Sequence, residues 1–298
     1  MKNFENYFKK EQWAKVLLVV GILFLIPFFS NAGSIRDVSQ NIERVKSIKA
    51  PFQFVTVGDS RDGEKVYAYL IKRILERKPD FIIHLGDMVP TPDEREWQAF
   101  FEISKSMVLP FFPVVGNHDV STGSSGNKVY REQFFLPEGK TYYAFRAGGI
   151  LFVILDSEKG RGRIVGEQLS WLEDMLSSSE EKMKLVFLHR PLFLPIDSLK
   201  RGRAMDRYQL ERDNLHRLFL RKRVKAVFEA DDHRYDRREE DGILYLISGG
   251  GGAPLYTTQK RGGYFHYVWV SVEKERIEGE AVDLGGRVRD RFTIDIEK

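Results

Sequence analysis

The chain has 298 residues, 42% hydrophobic and 30% charged, enough for a substantial core and against wholesale disorder. It contains no cysteine, which excludes disulfides, thiolate zinc sites and cysteine nucleophiles, so any metal must be held by oxygen and imidazole nitrogen. A net charge of +4, from 47 basic and 43 acidic residues, falls short of the strongly basic face of a nucleic-acid binder.

The amino terminus departs from ordinary composition. Lys2, Lys9, Lys10 and Lys15 precede the apolar run VLLVVGILFLIPFF at 16–29, which ends at Ser30, Asn31 and Ala32. A basic start, an apolar middle and small residues fit a secretory signal cleaved after Ala32. Trp13 and Ala14 lengthen the run toward the roughly 20 residues of a full span, so an uncleaved membrane anchor is an equal expectation for residues 1–32. In either case the positive-inside rule sends the rest of the chain across the membrane, as a periplasmic, secreted or outward-facing anchored domain. Without the four lysines and two glutamates of this leader, 43 basic residues face 41 acidic ones, a net +2.

Residues 33–51 are polar and read as a linker or stalk, with helical character at 38–48. From residue 52 onward, strands and helices alternate. PFQFVTVGDS is an apolar strand ending in a turn, and Val66, Leu70, Ile71, Ile74 and Leu75 give helical spacing over 63–78. DFIIHLGDMVP repeats the pattern, a helix follows at 93–105, and PFFPVVGNHD is a third strand. TYYAFRAGGILFVILDS predicts a hairpin turning at Gly148 and Gly149. An amphipathic helix at 166–178 leads to the strand KLVFLHRP, and a helix at 207–221 leads to VKAVFEAD. The basic RKRVK at 221–225 suits a last helical turn, where cations meet the negative end of the helix dipole. ILYLISGGGG runs into a glycine loop, and the remainder alternates as antiparallel strands turning at Gly285 and Gly286. Strand–helix alternation followed by hairpins predicts mixed sheets with helices outside, with strand ends converging on one crevice.

Five strand ends carry metal-capable groups: Asp59 in VGDS, Asp87 in LGDM, Asn117 and His118 in GNHD, His189 in FLHRP, and Asp231 with His233 in EADDH. Singly, each suits a turn or a hydrogen-bonded strand end. Together, in this order, they exceed what chance placement gives. His84, His216 and His266 fall outside it and read as core or surface histidines.

On LGD, GNHD and the later histidines, the sequence resembles the calcineurin-like metallophosphoesterase superfamily, in its purple-acid-phosphatase-like and bacterial exported branches, over about 52–252. The resemblance implies an α/β fold, a four-layer αββα sandwich of two mixed sheets across 52–298, with the last strands completing the second sheet. It also implies two metal ions. Asp59 would bind the first, Asp87 would bridge both, Asn117 and His189 would bind the second, and His233 would return to the first. His118 would face the substrate, with Asp119 orienting it. The chemistry is consistent by itself: carboxylate, amide and imidazole suit manganese, iron or zinc, and a paired site generates a nucleophilic hydroxide for in-line attack on phosphorus.

Two positions depart from the family pattern. Arg61 in Asp59-Ser60-Arg61 replaces a first-metal histidine and is a natural phosphate clamp. Asp231 replaces a second-metal histidine, which makes the site harder and favours manganese or magnesium. Pro90 stands where the purple acid phosphatases have an iron-binding tyrosine.

Several weaker candidates accompany these. Arg190 reads as solvated surface or a substrate contact, and SGGGGAP at 248–254 as a plain loop or a phosphate cradle. Phe193, Tyr256 and Tyr264 read as packing or pocket lining, and Asp232 as solvent-facing or paired with Arg234 or Arg237. The expected activity is hydrolysis of phosphate mono- or diesters, on a small-molecule, nucleotide-type or lipid-type substrate. The alternatives are a catalytically impaired metal- or phosphate-binding module of the same fold, or an extracytoplasmic nuclease. No tail or exposed amphipathic helix points to a partner protein.

Overall fold

A computed structural model describes residues 34–120 and 126–295. The leader expected at 1–32 lies outside the described residues; within them, no helix is long and apolar enough to cross a membrane.

In chain order the regular elements are α1 Val38–Val45, β1 Phe52–Val57, α2 Glu64–Glu76, β2 Phe81–His84, α3 Glu94–Ser104, β3 Phe111–Pro113, α4 Gly126–Gln133, β4 Tyr143–Ala147, β5 Ile150–Ile154, α5 Glu167–Ser178, β6 Met183–Phe187, α6 Gln209–Arg221, β7 Ala226–Glu229, β8 Tyr235–Glu240, β9 Ile243–Ser248, β10 His266–Val272, β11 Arg276–Asp283 and β12 Val288–Asp295. They form two six-stranded sheets, ordered β12-β11-β10-β1-β2-β3 and β4-β5-β6-β7-β9-β8. In the first sheet β1, β2 and β3 run parallel, and β10 pairs antiparallel with β1. In the second, β5, β6, β7 and β9 run parallel between antiparallel edges β4 and β8.

Burial explains the sequence pattern. β2 and β6 are buried at every position, as strands covered on both faces must be. Phe54, Phe81, Phe112, Phe145, Phe152, Phe187 and Phe228 meet between the sheets in a lattice of stacked and edge-on rings. On the outer face of the second sheet, Val153, Val186 and Val227 pack with Leu172 and Leu176 of α5 and Leu215 and Phe219 of α6. The helical spacing read for α2 buries Tyr67, Leu70, Ile71 and Ile74. α3 starts on an Asp93 cap that accepts from the Glu96 amide. The result is the expected αββα sandwich.

Two expectations are corrected. The segment 33–51 is not a free linker along its length: α1 belongs to the domain, with Val38 and Val45 fully buried and the Asn41 amide donating to Phe111 O. The last three strands extend the first sheet, not the second. The edge of β1 away from β2 would otherwise leave backbone donors unpaired, and β10 covers it from Phe52↔Val272 to Thr56↔Val268.

Candidate metal centre

The parallel strands of both sheets end at the same place. β1 leads to Asp59, β2 to Asp87, β3 to Asn117 and His118, β6 to His189, and β7 to Asp231 and His233. Asp59, Asp87 and Asp231 turn out of their strands with φ of 57°, 55° and 63°, the left-handed region that aspartate tolerates better than most residues. Asp59, Asp87, His189, Asp231 and His233 are all fully buried. Glycine allows these loops to close: a Cβ on Gly116 would lie 2.2 Å from the Asp87 nitrogen.

Each of three histidines is fixed by a backbone carbonyl on its Nδ1: Leu85 O for His189 at 2.8 Å, Pro254 O for His233 at 2.6 Å and Pro90 O for His118 at 2.8 Å. A carbonyl only accepts, so Nδ1 carries the proton and Nε2 is the free ring atom. His189 Nε2 then faces Asn117 Oδ1 at 3.3 Å, Asp87 Oδ1 at 3.4 Å and Asp231 Oδ1 at 3.8 Å. His233 Nε2 faces Asp59 Oδ1 at 3.5 Å, and neither atom has a hydrogen-bond partner among the described residues. Lone pairs facing lone pairs in a buried site require a cation between them.

A metal fits these donors. Two ligands each about 2.1 Å from a common ion are about 3.0–3.5 Å apart at octahedral to tetrahedral angles. Asp59, Asp87 and His189 each bring a donor atom within 4.8 Å of the others. In the absence of metal a proton takes the cation's role. Burial alone would lower the His189 pKa, but Asp87, Asp59 and Asp231 raise it to about 10. Asp87 is buried yet held well below the usual carboxylate range by His189 and His118.

Other expected site residues are placed as follows. Arg61 reaches the site, with Nε donating to Asp87 Oδ2 at 3.3 Å and Nη1 paired to Asp62. His118 is one-third exposed, with Nε2 4.0 Å from Asp87 Oδ2. Asp119 does not orient the His118 ring, and that expectation is corrected. Its carboxylate accepts from the amides of Gly116 and Asp87 at 2.9 Å, Met88 at 2.7 Å and Val89 at 3.3 Å, bolting the β2 and β3 loops together. Sequence adjacency suggested a side-chain pair, but four backbone donors converge on Asp119 and Pro90 O takes the ring.

Asp232 is buried, not solvent-facing, with Arg234 Nε 3.1 Å from Oδ2. Arg190 Nη1 lies 3.9 Å from Asp231 Oδ2, while its Nε donates to both Glu158 oxygens and Nη1 to Arg203 O. Three amides of the glycine loop are engaged within the fold: Gly249, Gly251 and Ala253 donate to Arg234 O, Gly58 O and Asp59 O. Tyr256 stacks on His233 with ring centroids 4.1 Å apart and lines the site, whereas Phe193 packs edge-on against His216 and Tyr245. Tyr264 packs between His266 and the Arg289 guanidinium. His84, His216 and His266 are at most slightly exposed and hydrogen-bonded within the fold, to Ser60, Tyr245 and Ser248 respectively.

One residue at the site carried no sequence signal. Lys200, on the long loop between β6 and α6, donates from Nζ to Asp231 Oδ1 at 2.6 Å.

A family model described as calcineurin-like phosphoesterase matches residues 52–235, which span the strands and loops of this centre from β1 to the start of β8. The chain belongs to the calcineurin-like phosphoesterase family. It is 31% identical over 200 residues to the serine/threonine-protein phosphatase CPPED1 of Danio rerio, covering 61% of this chain and 62% of that one. The match thus spans a little under two thirds of that relative. A probable glycerophosphodiester phosphodiesterase GpdQ of Arcobacter nitrofigilis is 30% identical over 121 residues, covering 39% of this chain and 44% of that one. Among solved structures, purple acid phosphatase PPD1 from yellow lupin (Lupinus luteus) seeds superposes with a TM-score of 0.70 at 19% identity. That alignment covers 83% of this chain and 54% of the lupin chain, and it supports the shared fold.

Proposed function

We propose that this chain is a binuclear metal-dependent phosphoesterase that hydrolyses phosphate mono- or diesters. The observation that carries this reading is the pair of histidine Nε2 atoms, on His189 and His233, each aimed at buried carboxylate oxygens at a separation that a shared metal ion would fit. Asp59 and His233 would hold one ion, Asn117, His189 and Asp231 the other, and Asp87 both. Manganese suits the oxygen-rich set best, with iron or zinc as alternatives. When bound, the ions supply Lewis-acid activation of water and neutralise phosphoryl charge.

The chain's own residues do the rest. With Nδ1–H held by Pro90 O, His118 carries or accepts its working proton at Nε2, which faces the open side of the site. Arg61, tied to Asp87, presents a fixed guanidinium to phosphoryl oxygens. Asp119 acts only through the loops it bolts. Relatives named as a protein phosphatase and a glycerophosphodiester phosphodiesterase support ester hydrolysis in general. Nucleotide-type and lipid-type esters are the candidate substrates, and the leader at 1–32 supports an extracytoplasmic or membrane-anchored location.

The test is hydrolysis of aryl phosphate mono- and diesters with manganese, magnesium, iron or zinc added to the metal-stripped chain. A second reading, a binding module without turnover, is favoured by one observation: Lys200 and Arg61 already neutralise Asp231 and Asp87. Two bound ions without turnover would select it, and preference for polynucleotide would select a nuclease.

A further inference from the structure

Asp231 stands where the family pattern has a histidine, and its carboxylate divides between two neighbours. Oδ1 lies 3.8 Å from His189 Nε2, on the metal side, and 2.6 Å from Lys200 Nζ, on the other. Lys200 is held there from a second direction, with Nζ 5.6 Å from the centre of the Tyr256 ring, itself stacked on His233. The side chain is 15% exposed, so it lies in the cleft and not on the outer surface. An ammonium has three N–H donors, and among the described residues Lys200 Nζ makes one hydrogen bond, to Asp231. Arg190 Nη1 also lies 3.9 Å from Asp231 Oδ2, but its Nε and Nη2 are taken by Glu158 and Nη1 by Arg203 O. Lys200 therefore has donors to offer beside those of Arg61, one carboxylate away from a metal-facing histidine.

We propose that Lys200 is a substrate-binding residue whose ammonium takes a non-bridging phosphoryl oxygen, with Asp231 as its positioning partner, and that it biases the site toward phosphate monoesters. The proposal rests on the phosphoesterase reading and names its substrate class. The charge argument is direct. With two divalent ions bound, Arg61 and Lys200 would leave the cleft cationic against Asp59, Asp62, Asp87 and Asp231, since the Arg190–Glu158 pair is neutral. A monoester dianion gains more from that excess than a diester monoanion does. The replacement of a neutral histidine by Asp231 recruits the lysine, and the lysine returns the charge that the aspartate removes.

The experiment uses the full chain with Lys200→Met, which keeps the stem and removes the charge, and Lys200→Arg, which keeps the charge. Binding of inorganic phosphate to the metal-loaded protein is followed by calorimetry, beside metal content and KM and kcat for aryl mono- and diesters. Loss of a charged hydrogen bond predicts phosphate binding weakened roughly ten-fold or more in Lys200→Met. KM for the monoester should rise by a similar factor, with the diester KM within about two-fold, metal content unchanged and partial recovery in Lys200→Arg. Equal loss on both esters, unchanged phosphate affinity, or metal loss in Lys200→Met would overturn the proposal, as would absence of phosphate binding by the unmodified chain. If the unmodified chain turns over no ester, the phosphoesterase reading fails, while the phosphate calorimetry still decides the role of Lys200. Should Lys200→Met fail to fold, Lys200→Gln carries the same readouts.

Discussion

His233 Nε2 and Asp59 Oδ1 lie 3.5 Å apart, fully buried, with no hydrogen-bond partner for either atom among the described residues. The ring cannot turn away, because Pro254 O holds its other nitrogen at 2.6 Å. Such a contact is destabilising until a cation enters. Binding manganese should therefore stabilise the fold, by about 2.7 kcal/mol at one hundred times Kd. Thermal unfolding with and without chelator checks this, and His233→Ala should reduce the metal-dependent rise. An identical midpoint in both conditions would contradict it.

His118 occupies the exposed edge of the centre, and its backbone amide donates to Asp87 Oδ1 at 2.8 Å. His118→Ala keeps that amide and removes only the ring. Turnover should fall about 10²- to 10⁴-fold, the range for loss of a general acid or base, with metal content nearly intact. Metal loss equal to that of Asp87→Ala would show that His118 is a ligand.

Asp119 is a structural carboxylate. Burial and the neighbouring Asp87 push its pKa up to about 8, against the pull of the Gly116 and Met88 amides. Asp119→Ala leaves several buried N–H groups without an acceptor and should cost roughly 2–4 kcal/mol in urea unfolding. The shape of the pH–rate profile should stay as in the unmodified chain, because His118 keeps its Pro90 contact. A stability change under about 0.5 kcal/mol with a displaced profile would return Asp119 to an orienting role.

His266 is buried, and burial lowers its pKa to about 4 from an ordinary 6.5. Below pH 6.5 the unfolded chain takes up a proton that the folded chain refuses, so stability falls as pH drops toward 4. Comparison with His266→Gln isolates this group from Asp119 and Glu229, whose pKa values burial raises and which run the other way. The stability difference between the two proteins should shrink by about 1.4 kcal/mol per pH unit from 6 to 4. A constant difference would mean that His266 is not held neutral.

Gly116 supports Asp87 by lacking a side chain. A Cβ there would lie 2.4 Å from Asp87 Oδ1 as well as against its nitrogen. Gly116→Ala should displace the bridging carboxylate and lower metal content, while Gly285→Ala, whose Cβ would meet only the Asp283 side chain at 3.3 Å, should retain it. Equal metal content in the two variants would contradict the close approach.

Most of the layered fold was legible because its signal is local. Buried strands such as FIIH and striped helices such as α2 show burial in their own residue order. The convergence of the strand-end residues was legible for the same reason, since each sits in a short motif directly after a strand. Pairing of β10 with β1 was not, because it joins segments about 200 residues apart and no local pattern states which edge is open. Asp119 was misassigned because a side chain next to His118 in sequence is aimed by the loop toward four amides. Lys200 was missed because it lies in a loop with no motif. Only folding brings it to Asp231, thirty-one positions away.

Under the proposed function, Asp87 would hold two metal ions between the strand ends of both sheets. Elemental analysis of the chain purified with manganese, set against Asp87→Asn, tests it most directly, because asparagine keeps the size and tolerates the left-handed φ of 55°. The account predicts about two ions per chain in the unmodified protein and less than one in the variant. One ion or none in the unmodified protein, or two in both, would contradict it.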